Sequence, residues 1–127
     1  MCMKQVTERN LNVSGVGWKV FRKYDKNLVM GEYHDGVIRI GRWESKVAYP
    51  PDRSRMDMTE EYKSGFHVFE TRKAARMWRG DKVRTRQVLK AEYRHGHTRG
   101  VCGFFCGSTG LRCIVADEIM VVKEGKK

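Results

Sequence analysis

The strongest constraint on the fold is a tight-turn signal that separates two short runs of strand-forming residues. The pair Asp35-Gly36 tolerates the positive φ angles that a two-residue hairpin turn requires. Strand-like runs lie on both sides of it, at residues 28–33 and 37–43, and an earlier run begins at Trp18. The pattern therefore predicts a three-stranded antiparallel meander over residues 17–47.

One segment has helical rather than strand spacing. Ala74 and Trp78 are four positions apart and would share one apolar face of a helix over residues 72–79. Thr71 precedes this segment and can cap its first free N–H groups, and Gly80 follows it, where a residue of left-handed conformation often ends a helix. We expect this helix to pack on the sheet through Ala74 and Trp78.

The remaining apolar segments predict further strands. A buried strand is expected at 65–69, and residues 83–94 alternate between two faces with a period of two, one face being basic. Two strand pieces near the end, 114–116 and 119–122, are separated by the acidic pair Asp117-Glu118. Together these segments predict an α+β fold, in which an antiparallel sheet, arranged as a meander or part of a barrel, carries one short helix.

The length of the chain, 127 residues, is that of one domain, which we place at residues 1–127. Residues 1–14 are polar and aperiodic and are expected to form a loose lead-in. Residues 48–64 carry both prolines and no clear period, which predicts a surface loop. The glycine-rich residues 95–110 are expected to form a compact loop, and the tail 124–127 is expected to be frayed.

Two absences bear on location. The sequence has no run of about 18 apolar residues, and its N-terminus lacks the apolar region of a signal peptide. They predict a protein that has no membrane segment and resides in the cytoplasm. Because thiols stay reduced in that compartment, free cysteines are expected at Cys2, Cys102, Cys106 and Cys113.

The most informative feature for function is the uneven distribution of charge. Residues 72–99 contain ten lysines and arginines against two acidic residues, so they hold a net charge of +8 out of the total of +11. Such a concentration attracts polyanions, and arginine, which outnumbers lysine seven to three here, favours bidentate contacts to phosphate or carboxylate. The alternative is a solvated face that maintains solubility. The candidate nucleic-acid-binding residues are Arg72, Arg76, Arg79, Lys82, Arg84, Arg86, Lys90, Arg94 and Arg99.

Histidines and cysteines cluster between residues 95 and 113. Imidazoles and thiolates at such spacings can form a tetrahedral zinc site, and the candidate ligands are His95, His97, Cys102, Cys106 and Cys113. The paired spacing of a zinc knuckle is missing, and the intervening pair Phe104-Phe105 is typical of a core. We therefore favour structural thiols and surface histidines, and we expect neither a metal nor a cofactor.

Two residues are candidates for acid–base chemistry. His67 lies between apolar residues of a strand, so its side chain could face away from Phe66 and Val68, toward a ligand. Glu118 belongs to an acidic pair whose carboxylates could transfer protons. A satisfied structural histidine and a salt bridge to the basic strand are the simpler explanations, and a catalytic role is not favoured.

Three stretches of the sequence resemble a family of small uncharacterised accessory proteins of tailed phages and prophages. They are residues 17–23 (GWKVFRK), residues 64–71 (SGFHVFET) followed by Ala74-Ala75 and Trp78, and residues 115–121 (VADEIMV). The resemblance implies a protein that binds or inhibits host machinery, including nucleic-acid-guided defence complexes, in the host cytoplasm. It implies no catalytic residue.

The closing segment, residues 116–121, is also similar to the final strand of ADP-ribosyltransferase-like folds. This likeness implies that Glu118 is a catalytic acid and that His67 contacts the nicotinamide side of the substrate.

Two functional hypotheses follow. The first is a small phage-type accessory protein, non-enzymatic, whose basic surface binds nucleic acid or an acidic or nucleoprotein partner in the host, for example as an inhibitor of host defence. The second is a small ADP-ribosyltransferase-like or other nucleotide-handling enzyme that uses His67 and Glu118. An enzyme requires a concave pocket in which these two residues converge, whereas a binding protein requires only a contiguous cationic face.

Overall fold

A computed structural model of the chain describes residues 5–31, 36–45, 52–53, 61–62, 65–82, 84–102 and 110–123. Within these ranges the chain forms ten strands and one helix. In chain order they are β1 (Gln5–Glu8), β2 (Val13–Asp25), β3 (Leu28–Met30), β4 (Val37–Arg39), β5 (Trp43–Ser45), β6 (Asp52–Arg53), β7 (Glu61–Tyr62), β8 (Phe66–Phe69), α1 (Arg72–Arg79), β9 (Arg86–Val101) and β10 (Arg112–Val121).

Three long strands, β2, β9 and β10, organise an antiparallel sheet. Its order is β1-β9-β10-β8-β2-β3-β4, with β5 added to β10. Strand β2 also pairs with β9, and it meets β8 at a single residue pair, Trp18 with Phe69. The pairings β2–β9, β9–β10, β10–β8 and β8–β2 therefore close a ring, as in a small barrel. The predicted α+β class, an antiparallel sheet with one short helix, is confirmed.

The predicted helix has the predicted bounds, Arg72–Arg79. Thr71 Oγ1 accepts a hydrogen bond of 3.1 Å from the backbone N–H of Ala74, which satisfies one of the free donors of the first turn. At the other end Gly80 adopts a φ of 63° and its N–H bonds the Arg76 carbonyl, as a C-terminal cap. Local side-chain chemistry thus fixes both ends of α1.

The apolar side chains form two clusters, one on each side of the sheet. The first lies beneath α1 and includes Phe69, Ala75 and Val88. The second lies on the other side and includes Phe21, Val68, Ile114 and Ile119. Because β8 contributes to both, all four of its residues are buried. Burial of apolar area on both sides of one sheet is the main stabilising contribution to this fold.

Strands β2 and β8 approach each other very closely where the ring closes. A Cβ atom at Gly17 would lie 2.6 Å from the Phe69 carbonyl oxygen and 2.5 Å from a methyl carbon of Val68. Only a residue without a side chain fits there, since real Cβ atoms do not approach so near. Gly17 is therefore required by packing, not by a turn.

The meander that the sequence predicts is present in part. Strands β2, β3 and β4 pair in succession, with Val29 opposite Ile38. The third strand ends at Arg39, however, and Trp43–Ser45 forms a separate strand that pairs with β10. The turn residue Asp35 lies outside the described residues.

Four segments differ from the sequence-based expectation. Within the expected lead-in 1–14, residues 5–8 form β1 and pair with β9, and β2 begins at Val13. Within the expected loop 48–64, β6 and β7 pair with each other. Residues 95–101, expected in a loop, continue β9, and β10 runs through the acidic pair without interruption. The tail 124–127 lies outside the described residues.

A disulfide joins Cys102 and Cys113, and both residues are buried. The expectation of free thiols at these two positions is therefore wrong. The physical reason is that β9 extends to Val101, so its end is held against the start of β10 by a 2.8 Å bond from the Cys102 N–H to the Leu111 carbonyl. Cys2 and Cys106 lie outside the described residues.

The part of the chain that the structure describes contains no helix with the length and apolar character needed to cross a membrane.

Candidate nucleic-acid interface

Four cationic side chains come together near the end of β2 and the start of β9. Arg22 on β2 is directly opposite Arg86 on β9. Together with Lys82, Arg84 and Thr85 they line an open depression of about 490 Å³. We call this the basic depression. Four of its five lining residues are cationic and none is acidic, so it is a region of positive potential.

Strand alternation explains why these side chains face outward. Val20 and Val88 are directly opposite each other and both are buried in the cluster beneath α1. Arg22 and Arg86 are the next pair on the same face, two positions further along each strand. The apolar pair is covered by the helix, and the arginine pair lies just beyond that cover.

The exposed face of the helix carries further cations. After Gly80, the C-terminal cap of α1, the chain returns to the sheet. There the Arg86 N–H donates a hydrogen bond of 3.0 Å to the Lys82 carbonyl. Arg76 and Arg79 lie in the last helical turn, where positive charge is favoured by the helix dipole. Arg72, Lys73 and Arg76 are exposed, whereas Arg79 is half-buried. The outer face of α1 is thus basic along its whole length.

A second open depression, of about 470 Å³, lies at the turn between β2 and β3. It is lined by Lys26, Asn27, Leu28, Arg39 and Ile40. A backbone hydrogen bond of 3.0 Å from the Ile40 N–H to the Asn27 carbonyl joins its two sides. We call it the turn depression. Its two charged lining residues, Lys26 and Arg39, are both cationic.

Two of the nine predicted binding residues form ion pairs with carboxylates of the same chain. Arg94 Nε lies 2.6 Å from Glu118 Oε1, and its guanidinium lies 4.0 Å from the centre of the Trp43 ring. Arg99 Nε lies 2.7 Å from Glu70 Oε1 and its Nη1 lies 3.7 Å from Glu8. The hydrogen bond to Glu70 raises the pKa of Arg99 above its usual value. These arginines are largely neutralised by carboxylates of the same chain.

The other predicted residues divide into three groups. Lys82, Arg84 and Arg86 converge in the basic depression, and Arg72, Arg76 and Arg79 follow the helix. Lys90 is exposed opposite Trp18, on the far side of the Val20–Val88 pair from the depression. Sequence reasoning missed Arg22, Lys26 and Arg39. The strand alternation of β2 was a signal for Arg22, but only the register with β9 places it beside Arg86.

The histidine and cysteine candidates do not form a metal centre within the described ranges, which contain no cluster of three or more His, Cys, Asp or Glu side chains suited to a metal. Cys102 and Cys113 form a disulfide, so their thiols are not available to bind a metal. His95 is exposed, as expected of a surface histidine, with Nε2 3.7 Å from Glu118. The same expectation is wrong for His97, which is buried, with Nε2 3.4 Å from Asp117.

The catalytic candidates His67 and Glu118 occupy different surroundings. His67 is 5% exposed, its Nε2 lies 3.0 Å from the Tyr62 hydroxyl, and its carbonyl accepts a 2.9 Å hydrogen bond from Lys19 Nζ. Glu118 is bound by Arg94. His67, on β8, is opposite Val115 of β10. Glu118 is three residues further along β10, about 10 Å from Val115, and is opposite Ser45 of β5. Neither residue lines the basic depression or the turn depression.

Comparison of the chain with family models, with curated proteins and with solved structures found no match. The resemblances to phage accessory proteins and to ADP-ribosyltransferase-like folds accordingly stay predictions from the sequence.

Proposed function

We propose that this protein binds the phosphate backbone of nucleic acid, free or within a nucleoprotein, through the basic depression and the exposed cations of α1. The observation that carries the proposal is the directly opposed pair Arg22 and Arg86. Together with Lys82 and Arg84, this pair places four cationic side chains around one open depression. A ligand with phosphate groups has the complementary charge.

The chemistry of the lining residues supports the same ligand. Guanidinium groups present rigid, paired N–H donors that match phosphate oxygens, and three of the four cations here are arginines. Each phosphate that is neutralised releases condensed counterions, which makes the affinity depend steeply on salt. With roughly six phosphate contacts, the affinity should fall by about a thousandfold between 50 and 200 mM salt.

The test uses fluorescence anisotropy with labelled oligonucleotides and two double variants of equal charge. The first, R84E/R86E, reverses two cations of the basic depression. The second, R112E/K123E, reverses two exposed cations that line neither depression. Both changes lower the net charge equally, so a general loss of attraction would affect them alike. We expect R84E/R86E to abolish salt-dependent binding and R112E/K123E to weaken it only slightly.

The same proposal includes the expected role as a phage-type accessory protein that acts on a host nucleoprotein, for example in host defence. Affinity capture from a host lysate, with and without nuclease, tests it. Recovery of a nucleic-acid-containing complex by the wild type and its loss with R84E/R86E is the expected outcome. A partner that survives nuclease treatment unchanged and requires no cation of the basic depression would contradict it.

No specific observation favours the enzymatic alternative. Its two residues have separate partners, with His67 beside Tyr62 and Glu118 held by Arg94.

A further inference from the structure

An exposed aromatic ring lies on β2 two residues after Arg22, which lines the basic depression. The side chain of Tyr24 is 58% exposed, the highest value among the large hydrophobic residues of the described ranges. At surfaces that bind a partner, tyrosine rings commonly provide contact area. Neither the core nor the proposed phosphate contacts account for Tyr24.

A bulge in the strand displaces this residue from the regular ladder. In the pairing of β2 with β3, Lys23 is opposite Val29 and Asp25 is opposite Leu28, so that Tyr24 is the extra residue. Bulges of this kind change the direction of a side chain and are frequent beside functional sites. The bulge therefore presents Tyr24 outside the regular pattern of core-facing and solvent-facing positions.

Cations flank the ring on both sides along the chain. Arg22, two positions before Tyr24, lines the basic depression, and Lys26, two positions after it, lines the turn depression. Each of these Cα atoms lies within about 7 Å of the Cα atom of Tyr24, because two residues span no more than that. Along the chain, the order is therefore a residue of the basic depression, the aromatic ring, and a residue of the turn depression.

We propose that the ligand is single-stranded nucleic acid, with phosphates in the two depressions and an unpaired base stacked on Tyr24. This inference rests on the proposed function and specifies its ligand. Single-strand-binding surfaces combine a cationic groove that follows the backbone with aromatic rings on which bases stack. A duplex keeps its bases stacked on each other and offers no free face to Tyr24.

The experiment compares four labelled or competing probes on the wild-type protein and on variants. The probes are oligo-dT and oligo-rU of about 12 nucleotides, within the usual site size of single-strand-binding surfaces, a duplex of equal length, and inorganic polyphosphate, which has charge but no bases. The variants are Tyr24→Ala, Tyr24→Phe, which keeps the ring, and Val16→Ala, which removes another exposed apolar side chain of the same strand.

We expect Tyr24→Ala to weaken binding of the single strands by about tenfold, the usual effect of losing one stacking contact, and to leave polyphosphate affinity unchanged. Tyr24→Phe and Val16→Ala should bind like the wild type. A difference between oligo-dT and oligo-rU identifies DNA or RNA as the source of the strand, and both outcomes support the inference.

Two results would overturn the inference while leaving the proposed function standing. One is equal or tighter binding of the duplex, and the other is an unchanged affinity of Tyr24→Ala for single strands while R84E/R86E still loses binding. Tighter binding of an acidic polypeptide such as poly-glutamate than of any oligonucleotide would overturn both. So would the absence of salt-dependent binding to every oligonucleotide and to polyphosphate.

Discussion

The arginines occupy two kinds of position in this molecule. Arg94 and Arg99 project from β9 to carboxylates at 2.6 Å and 2.7 Å and connect neighbouring segments of the fold. Arg22 and Arg86 are directly opposite each other and line the basic depression. A count of positive charges cannot separate these two kinds of position, because both contribute equally to the net charge.

Substitution of the first kind should affect stability and leave binding intact. We expect Arg99→Gln to lower the free energy of unfolding by up to about 1 kcal/mol, since a partly exposed ion pair is screened by solvent. Its affinity for oligonucleotides should stay within about twofold of the wild type, in contrast to R84E/R86E. Urea unfolding and anisotropy on the same preparation measure both quantities. A loss of affinity as large as that of R84E/R86E would show that Arg99 belongs to the binding surface.

A second prediction at the level of single residues concerns Gly17. Its Cα lies so close to β8 that an added Cβ would meet the Phe69 carbonyl oxygen at 2.6 Å. Gly17→Ala must therefore push β2 away from β8, and we expect a loss of about 1–3 kcal/mol of stability, as for other overpacked sites. Gly80→Ala provides a comparison, because nothing lies within 4 Å of that Cβ and only its positive φ opposes the change. Thermal unfolding should rank Gly17→Ala as the more damaging change.

Among the elements, α1 is the one whose formation is encoded locally. Thr71, the apolar stripe and Gly80 are all within ten residues, and each acts on its immediate neighbours. The strands differ, because their partners are distant in the sequence and their register depends on packing. The glycine-rich part of β9 illustrates this. Gly96, which the sequence places in a loop, lies in β9, where a Cβ would meet Ile114 Cδ1 at 2.8 Å and the Val13 carbonyl oxygen at 3.1 Å, so the tertiary structure crowds this position.

Truncation of Trp78, the side chain that packs α1 against the sheet, should destabilise the whole domain. The Trp78 ring lies 5.9 Å from the Phe69 ring, between centres, and packs against the first apolar cluster. We expect Trp78→Ala to lower the free energy of unfolding by about 3 kcal/mol, a large part of the stability of a domain this size. Lys73→Ala, on the exposed face of the same helix, is the control and should change it by less than about 0.5 kcal/mol. Equal midpoints for the two variants would show that α1 does not anchor the sheet.

For the whole molecule, ring closure and the disulfide act together. The ring joins β2, β9, β10 and β8, and the Cys102–Cys113 bond ties β9 to β10 at one end of their ladder. The sequence predicted the sheet class, since alternation and turn signals are local. It could not predict the disulfide, because that requires the length of β9, nor the basic depression, because that requires the pairing of Arg22 with Arg86.

The disulfide gives a prediction at this scale. A cross-link that closes a loop of 11 residues restricts the unfolded chain, and we expect reduction to lower the free energy of unfolding by about 2–3 kcal/mol. Thermal unfolding with and without dithiothreitol measures the effect, and the Cys102→Ser/Cys113→Ser variant should unfold at the reduced midpoint under both conditions. An unchanged midpoint on reduction, with both thiols then reactive to maleimide, would contradict the stabilising role. The predicted cytoplasmic location stays a prediction, and such bonds persist chiefly in oxidising compartments.

The closed ring of strands also determines when the protein can fold during its synthesis. Strand β2 lies near the start of the chain, but its main partner is β9, with Val13 opposite Gly96 and Gly17 opposite Ala91. A ribosome that adds about 5–20 residues per second needs several seconds to make the intervening chain, and pairings between such distant segments are intrinsically slow. During that interval β2 presents apolar side chains such as Phe21 with neither β9 nor β8 to cover them. We therefore expect nascent chains truncated before residue 86 to need chaperones, and protease resistance to arise only after β10 has emerged.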